Sequence, residues 1–320
     1  MLARVVRVDR GECDVVSAEG RVRVLSDSQR AQDEIAPVTG DWVMIADEDG
    51  LGMVITEVLD RQTSVSRRDP AERDLEQVLA ANADVVAVVH GLDRPLPPGR
   101  LERLLVLAYK SRASPMVILT KADDQMDDVT EGIVRSVARD VPVLLTSISD
   151  GTGLDELLAA IGPGRTLALV GASGVGKSSL VNALVGHELL EIGEVRSSDA
   201  KGRHTTTARE LVLLPDGAGL LLDTPGIRAL GLWEAEDALD LVFGDLEDLS
   251  GECKFGDCAH ESEPGCAIAA AVESGEVDTR RMDRYKALVA ELAAQRAREE
   301  ERERKEQKGG RGRGRRKGRR

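Results

Sequence analysis

Three groups of residues in this 320-residue chain have the types and spacing to do chemistry. The first is the run Gly171, Ala172, Ser173, Gly174, Val175, Gly176, Lys177, Ser178, Ser179. Residues 171–178 fit G-x-x-x-x-G-K-[ST] without a mismatch, the pattern of a loop that cradles phosphates. Its glycines let backbone N–H groups close around phosphate oxygens, Lys177 places a point charge on the outer phosphates, and Ser178 offers a hydroxyl to magnesium. The second group is Thr120, Lys121, Ala122 and Asp123. An ionised Asp is acceptor-only, so Asp123 suits the N–H groups on the edge of guanine, while the Lys121 stem suits the face of the base. The third group is Cys253, Cys258, His260 and Cys266, spaced C-x4-C-x-H-x5-C. Three thiolates and one imidazole suit tetrahedral zinc and leave no position open for a substrate, which makes the expected site a single structural ion.

Further segments extend the nucleotide group. Ser147 lies in Thr146-Ser-Ile-Ser-Asp-Gly-Thr-Gly153, a loop of the kind that closes over guanine. Asp223 and Gly226 belong to Asp-Thr-Pro-Gly, where the acid is expected to hold magnesium through water and the glycine N–H to meet the γ-phosphate. A threonine ligand for magnesium must then come from between Ser179 and Asp223. Lys201-Gly-Arg-His-Thr-Thr-Thr207 is the candidate, with Thr206 first and Thr207 next.

Each motif follows an element able to position it. Thr166–Val170 reads as a buried strand before the phosphate loop and Ser179–Val185 as a helix after it, and the helix N-terminus favours anions. Met116–Leu119, Val141–Leu145 and Gly219–Leu222 read as strands before the base reader, the serine loop and Asp223. Strands and helices alternate from about 63 to 245, as a mainly parallel sheet requires, beginning with a helix over Ala71–Leu79. The motif order is unusual: the base reader precedes the phosphate loop by about fifty residues, which makes the core a circularly permuted GTPase. Residues 1–62 carry five short alternating strands and suggest a small barrel, an OB-fold or another. Residues 246–295 hold the cysteine cluster and helices. Residues 296–320 hold a charged helix end and a basic tail expected to be disordered, because it has no apolar residue to bury.

This motif order, the Gly-Arg-His-Thr-Thr-Thr stretch and the cysteine cluster together resemble the circularly permuted, small ribosomal subunit-dependent GTPase A family of bacteria. The resemblance covers roughly residues 1–290. It implies an α/β fold with an N-terminal OB-fold, a permuted GTPase core and a C-terminal zinc domain. It also implies GTP hydrolysis to GDP stimulated by the small ribosomal subunit, in late maturation of that subunit, with contacts to its rRNA. Two departures from a generic GTPase stand out. Thr120 is shorter than the usual Asn and has no amide, so a weaker tie to the phosphate loop is expected. Ile227 stands where many GTPases carry a water-orienting Gln. His204 resembles the residue this family uses in its place and is the expected catalytic group.

Composition narrows the setting. The longest apolar runs are strand-length, so no membrane span is expected. The four cysteines include an odd one, Cys13, which reads as a small core residue, and no signal peptide is evident, so a cytoplasmic monomer is expected. The net charge of −14 hides an asymmetry: Lys308–Arg320 carries eight Lys/Arg and no acid, the composition of a sequence-tolerant RNA-binding arm. Arg4, Arg7, Arg21, Arg23 and Arg30 are possible RNA contacts on the barrel. Two other classes remain open at this point. A metabolic P-loop kinase would have no use for both Asp123 and Asp-Thr-Pro-Gly. A non-catalytic adaptor holding GTP draws some support from Ile227.

Overall fold

The computed structural model describes residues 1–26, 35–69, 76–123, 126–186, 210–223, 231–261 and 263–316. The chain starts with β1 (Leu2–Val8), β2 (Glu12–Ser17), β3 (Gly20–Leu25), β4 (Trp42–Glu48) and β5 (Gly52–Val58). β1 pairs with both β2 and β4, β2 with β3, and β4 with β5, all antiparallel. β3 meets β5 in parallel at Leu25 and Val54, which closes the ring in the order 1-2-3-5-4. A five-stranded barrel of this Greek-key kind is the OB arrangement. Period-2 alternation sends Ala3, Val5, Cys13, Val15, Val24, Val43 and Ile45 inward as its core. Cys13 is fully buried among them, a packing residue as expected.

Two strands follow, β6 (Ser64–Arg68) and β7 (Glu76–Ala81), paired as a separate small sheet. The helix expected over 71–79 is corrected here, because residues 76–81 are a strand and 71–75 lie outside the described residues. Leu79, Ala80 and Ala81 are all buried, and a short apolar run of this length fits a strand as well as a helical face.

The core then runs β8 (Val85–Gly91), α1 (Pro98–Lys110), β9 (Ser114–Thr120), α2 (Asp128–Ala138), β10 (Val143–Thr146), α3 (Leu154–Ile161), β11 (Thr166–Val170), α4 (Lys177–Val185), β12 (Glu210–Leu213) and β13 (Leu220–Asp223). Local signals set the helix ends. Proline occupies the first turn of α1, and the Asp127 carboxylate caps α2 by accepting from Thr130 N at 2.7 Å. β10, β9, β8, β11 and β13 lie side by side in parallel, and β12 runs antiparallel to β13. β8 and β11 are buried along their whole length, which is why they read as continuous apolar runs. β12 also pairs with β1 at Arg7 and Glu210, so the barrel and the parallel sheet share one hydrogen-bonded ladder.

By compactness the chain divides into Met1–Ser66 with Val78–Leu230, and Arg67–Gln77 with Gly231–Arg320. The second unit contains α5 (Glu236–Val242), α6 (Gly244–Ser250), α7 (Ala267–Ser274) and α8 (Thr279–Arg316). Arg281 anchors it. Its guanidinium pairs with both Asp245 carboxylate oxygens at 2.8 and 2.7 Å, donates to Val242 O at 3.1 Å and lies 4.8 Å from the centre of the Phe243 ring. Where the sequence predicts disorder from Lys308 onward, α8 continues to Arg316, and residues 317–320 lie outside the described residues. Once a helix is nucleated each added residue gains a backbone bond, and the pairs Glu300–Arg304 and Glu301–Lys305 support the preceding turns. Among the described residues no helix is long and apolar enough to cross a membrane.

Candidate functional site

Register places five strand ends on one edge of the parallel sheet. Gly91, Thr120 and Thr146 align across β8, β9 and β10, while Val170 and Asp223 end β11 and β13. Open parallel sheets bind ligands at this carboxyl edge. The phosphate loop leaves β11 there and opens α4 at Lys177. Gly171 passes so close to β8 that a Cβ would stand 2.5 Å from Val89 O.

The loop's carbonyls are tied down one by one. Lys177 Nζ donates to Gly171 O at 3.0 Å and to Ala172 O at 2.9 Å, which sets a buried ammonium inside the loop. Arg94 donates to Gly174 O at 3.1 Å, and the Thr120 hydroxyl donates to Val175 O at 2.5 Å. In a trans peptide the N–H points opposite to the C=O. Fixing these four carbonyls therefore turns the N–H groups of Ala172, Ser173, Val175 and Gly176 the other way, an array of donors for an anion. Ser178 and Ser179 follow in the first turn of α4.

Thr120 makes its tie to the phosphate loop without an amide. Its hydroxyl reaches the phosphate loop directly because Gly176, at φ +96°, has no side chain to intervene: a Cβ there would lie 3.2 Å from Thr120 Oγ1. The shorter residue fits where the backbones run close. Ala122 N donates to Thr146 O at 3.1 Å, and Ser147 Oγ donates to Asp123 Oδ1 at 2.9 Å while also contacting Ser149 Oγ at 2.8 Å. The base reader and the serine loop, 24 residues apart in sequence for Asp123 and Ser147, thus form one surface. Lys121 adopts φ +60° and donates to Asp93 Oδ2 at 2.6 Å.

Asp93 and Arg94 were not singled out in the sequence. The available signal was a charged pair just after the buried strand β8, at the carboxyl edge where loops carry function. Arg94 and then Lys121 hold the Asp93 carboxyl well below the usual carboxylate range. His90, buried at the end of β8, has its pKa lowered by burial; its Nε2 lies 3.1 Å from Arg94 O, an acceptor only, so that nitrogen carries the proton. Of the remaining nucleotide candidates, Asp223 is seen as the end of β13, whereas His204, Thr206, Thr207, Gly226 and Ile227 lie outside the described residues.

The cysteine group converges as its spacing predicts. One ligand atom each from Cys253, Cys258, His260 and Cys266 lies within 4.8 Å of the others. Cys253 Sγ is 3.6 Å from His260 Nδ1 and 3.9 Å from Cys266 Sγ, and Cys266 Sγ is 3.5 Å from His260 Nδ1. A tetrahedron with bonds of about 2.0–2.3 Å has edges of about 3.3–3.8 Å, so the donor set and its geometry fit zinc. The ligands are held from behind: Ala267 N and Ala269 N donate to Cys253 and Cys266 sulfurs at 3.4 Å each, and Lys286 Nζ donates to His260 O at 2.8 Å. Desolvation and the neighbouring Cys266 and Cys253 sulfurs push the Cys258 thiol up to about 11.

The barrel arginines named as possible RNA contacts differ in their surroundings. Arg4 is buried, donates to Gly40 O and Asn82 O, and stacks 5.2 Å from the Trp42 ring centre. Arg7 pairs with Asp9, Arg21 with Asp14 and Glu210, and Arg23 with Asp9, Glu12 and Asp14. Their charge is matched within the fold, and Arg30 lies outside the described residues.

Comparison with known proteins follows the same lines. The RsgA GTPase family matches residues 58–233. A small ribosomal subunit biogenesis GTPase RsgA of Streptomyces coelicolor is 46% identical over 293 residues, covering 90% of this chain and 79% of that one. A protein of the same name from Methanosarcina acetivorans is 42% identical, covering 81% and 70%. The crystal structure of YjeQ from Thermotoga maritima matches with a TM-score of 0.64 and 27% identity over 91% of this chain and 98% of that one. That of YloQ, a circularly permuted GTPase, matches with a TM-score of 0.60 and 25% identity over 92% and 95%.

Proposed function

The chain belongs to the RsgA GTPase family, and from that premise we propose that it hydrolyses GTP to GDP on the small ribosomal subunit during late maturation of that subunit. The observation that carries this reading is the joining of guanine reader and phosphate loop by the Thr120 hydroxyl on Val175 O, with Ser147 bonded to Asp123 beside it. A P-loop kinase needs no such union of a guanine-edge acceptor with the triphosphate loop.

In this reading Asp123 accepts from the guanine edge and Ser147 keeps its carboxylate turned for that purpose. Lys121 covers the base. The N–H groups of Ala172 to Gly176, with Lys177, take the phosphates. Ser178 and Thr206 would hold magnesium, Asp223 would reach it through water, and the ion would screen the charge on the leaving phosphates. Gly226 donates to the γ-phosphate, and His204 orients the attacking water in place of the residue at Ile227. Cys253, Cys258, His260 and Cys266 would hold one structural zinc that supplies folding energy to residues 246–295, while 1–62 and 63–245 form the barrel and the GTPase core. In this reading rRNA contact falls to the barrel, to the zinc region and to the basic end after Lys308. The nucleotide state would set when the chain, a cytoplasmic monomer, holds and releases the subunit.

The test is GTP turnover by the chain alone, with small subunits and with large subunits. Stimulation by small subunits only is the expected result. Equal rates in all three, or turnover of ATP as readily as GTP, would overturn the proposal.

A further inference from the structure

Asp93 and Arg94 lie between β8 and α1, outside every motif that identifies the nucleotide site, yet they touch both halves of it. Arg94 spans the gap: Nε and one NH2 group bond the Asp93 carboxylate at 3.2 and 3.0 Å, and the same NH2 donates to Gly174 O of the phosphate loop. Asp93 Oδ2 receives Lys121 Nζ of the base reader. The turn carrying them is held at each corner. Leu92 N donates to Thr120 O at 2.9 Å, the Thr120 hydroxyl lies 3.3 Å from His90 O, and His90 Nε2 donates to Arg94 O. Gly91 makes room for the fold-back, since a Cβ there would stand 2.6 Å from Asp93 Oδ1.

We propose that Asp93 and Arg94 are positioning residues of the guanine-nucleotide site, a charged strap that couples the base reader to the phosphate loop. The proposal rests on the guanine reading given above. Arg94 fixes the Gly174 carbonyl outward, and because that peptide is planar the Val175 N–H is thereby presented to the phosphates. Asp93 fixes the Lys121 ammonium and with it the course of the stem that covers the base. Each residue also orders the other, because Asp93 is the common acceptor for Arg94 and Lys121. A site ordered before its ligand arrives spends less of the binding free energy on ordering side chains. The three charged groups are about one-third exposed, so each contact is worth little alone, and the effect comes from linking two parts of one site.

The full-length chain tests this by equilibrium binding of GDP and GTP and by steady-state turnover. Asp93→Asn is expected to raise the Kd for both nucleotides, and the KM, by about threefold to tenfold, with kcat changed by less than about twofold. In a Lys121→Met background the same substitution is expected to add little, because the group it positions has gone. Arg94→Gln is expected to weaken GDP and GTP equally. Equal losses from Asp93→Asn in both backgrounds, or unchanged affinities in Asp93→Asn and Arg94→Gln, would overturn the strap. So would a fall in kcat at unchanged KM with a lowered melting temperature, the signature of lost folded protein. Failure of the unaltered chain to prefer guanine over adenine nucleotides would instead overturn the guanine reading, and the strap with it.

Discussion

The nucleotide edge and the cysteine loop are both built from loops, but they are held by different means. The nucleotide loops hang from one parallel sheet whose strands β8 and β11 are buried end to end, and their polar groups are bonded to one another: Thr120 to Val175, Ser147 to Asp123, Arg94 to Gly174. The segment 251–265 has no such floor. Most of it is exposed, Phe255 included, and four side chains converging from a thirteen-residue separation of Cys253 and Cys266 organise it. The first region spreads its order over many small bonds on a rigid sheet. The second concentrates it in one set of donors. Losing one group should therefore cost ligand affinity in the first and local structure in the second.

The largest expected effect lies in the cysteine loop. Cys258→Ser, or treatment with a strong chelator, should remove the metal and open residues 251–266 to proteolysis, since structural zinc contributes on the order of 10 kcal/mol in small sites. GTP affinity should change little. Metal analysis, limited proteolysis and nucleotide binding on one sample check this, and loss of GTP binding in parallel would break the contrast. Next comes His204→Ala, expected to lower small-subunit-stimulated hydrolysis by about tenfold to ten-thousandfold with GTP binding intact. Single-turnover rates on saturating subunits decide it; an unaltered rate assigns the water to another group.

Asp123→Asn should cost guanine affinity by about 1–3 kcal/mol and narrow the preference over adenine, because an amide cannot accept from both guanine donors. A nucleotide panel measures this, and unchanged preference would remove Asp123 from the base site. Thr120→Val keeps the shape but strips the donor from the buried Val175 carbonyl. A loss of about 1–2 kcal/mol in affinity for GDP and GTP alike is expected, measured by titration; wild-type affinity would mean that the two loops are tied by packing alone. The smallest effect belongs to the tail. Deleting Lys308–Arg320 should weaken small-subunit binding and flatten its salt dependence, since counterion release scales with phosphate contacts. Identical salt slopes would leave the tail without a role in RNA contact.

The residue types alone determined much of this protein. A phosphate loop is legible because backbone donors, a lysine and a hydroxyl must occur in one short run, and the cysteine set because four ligands at loop spacing have few other uses. Motif order disclosed the permutation, and period-2 alternation disclosed five barrel strands. What only the tertiary structure decided is what long-range pairing decides. The parallel contact of Leu25 with Val54 closes the barrel, and the ladder from Arg7 to Glu210 joins barrel to sheet across 203 residues of chain. Residues 76–79 became strand rather than helix because a partner strand was in reach. Arg4, on the face of β1 opposite the barrel core, is buried against two backbone carbonyls and Trp42, a fate its alternating position could not reveal. Thr120 gained its bond because Gly176 lets two backbones approach, and Asp93 with Arg94 joined the site only because the sheet set β8, β9 and β11 side by side. Sequence records which groups are present; the fold sets the distances, and hydrogen bonds and ion pairs depend on distance.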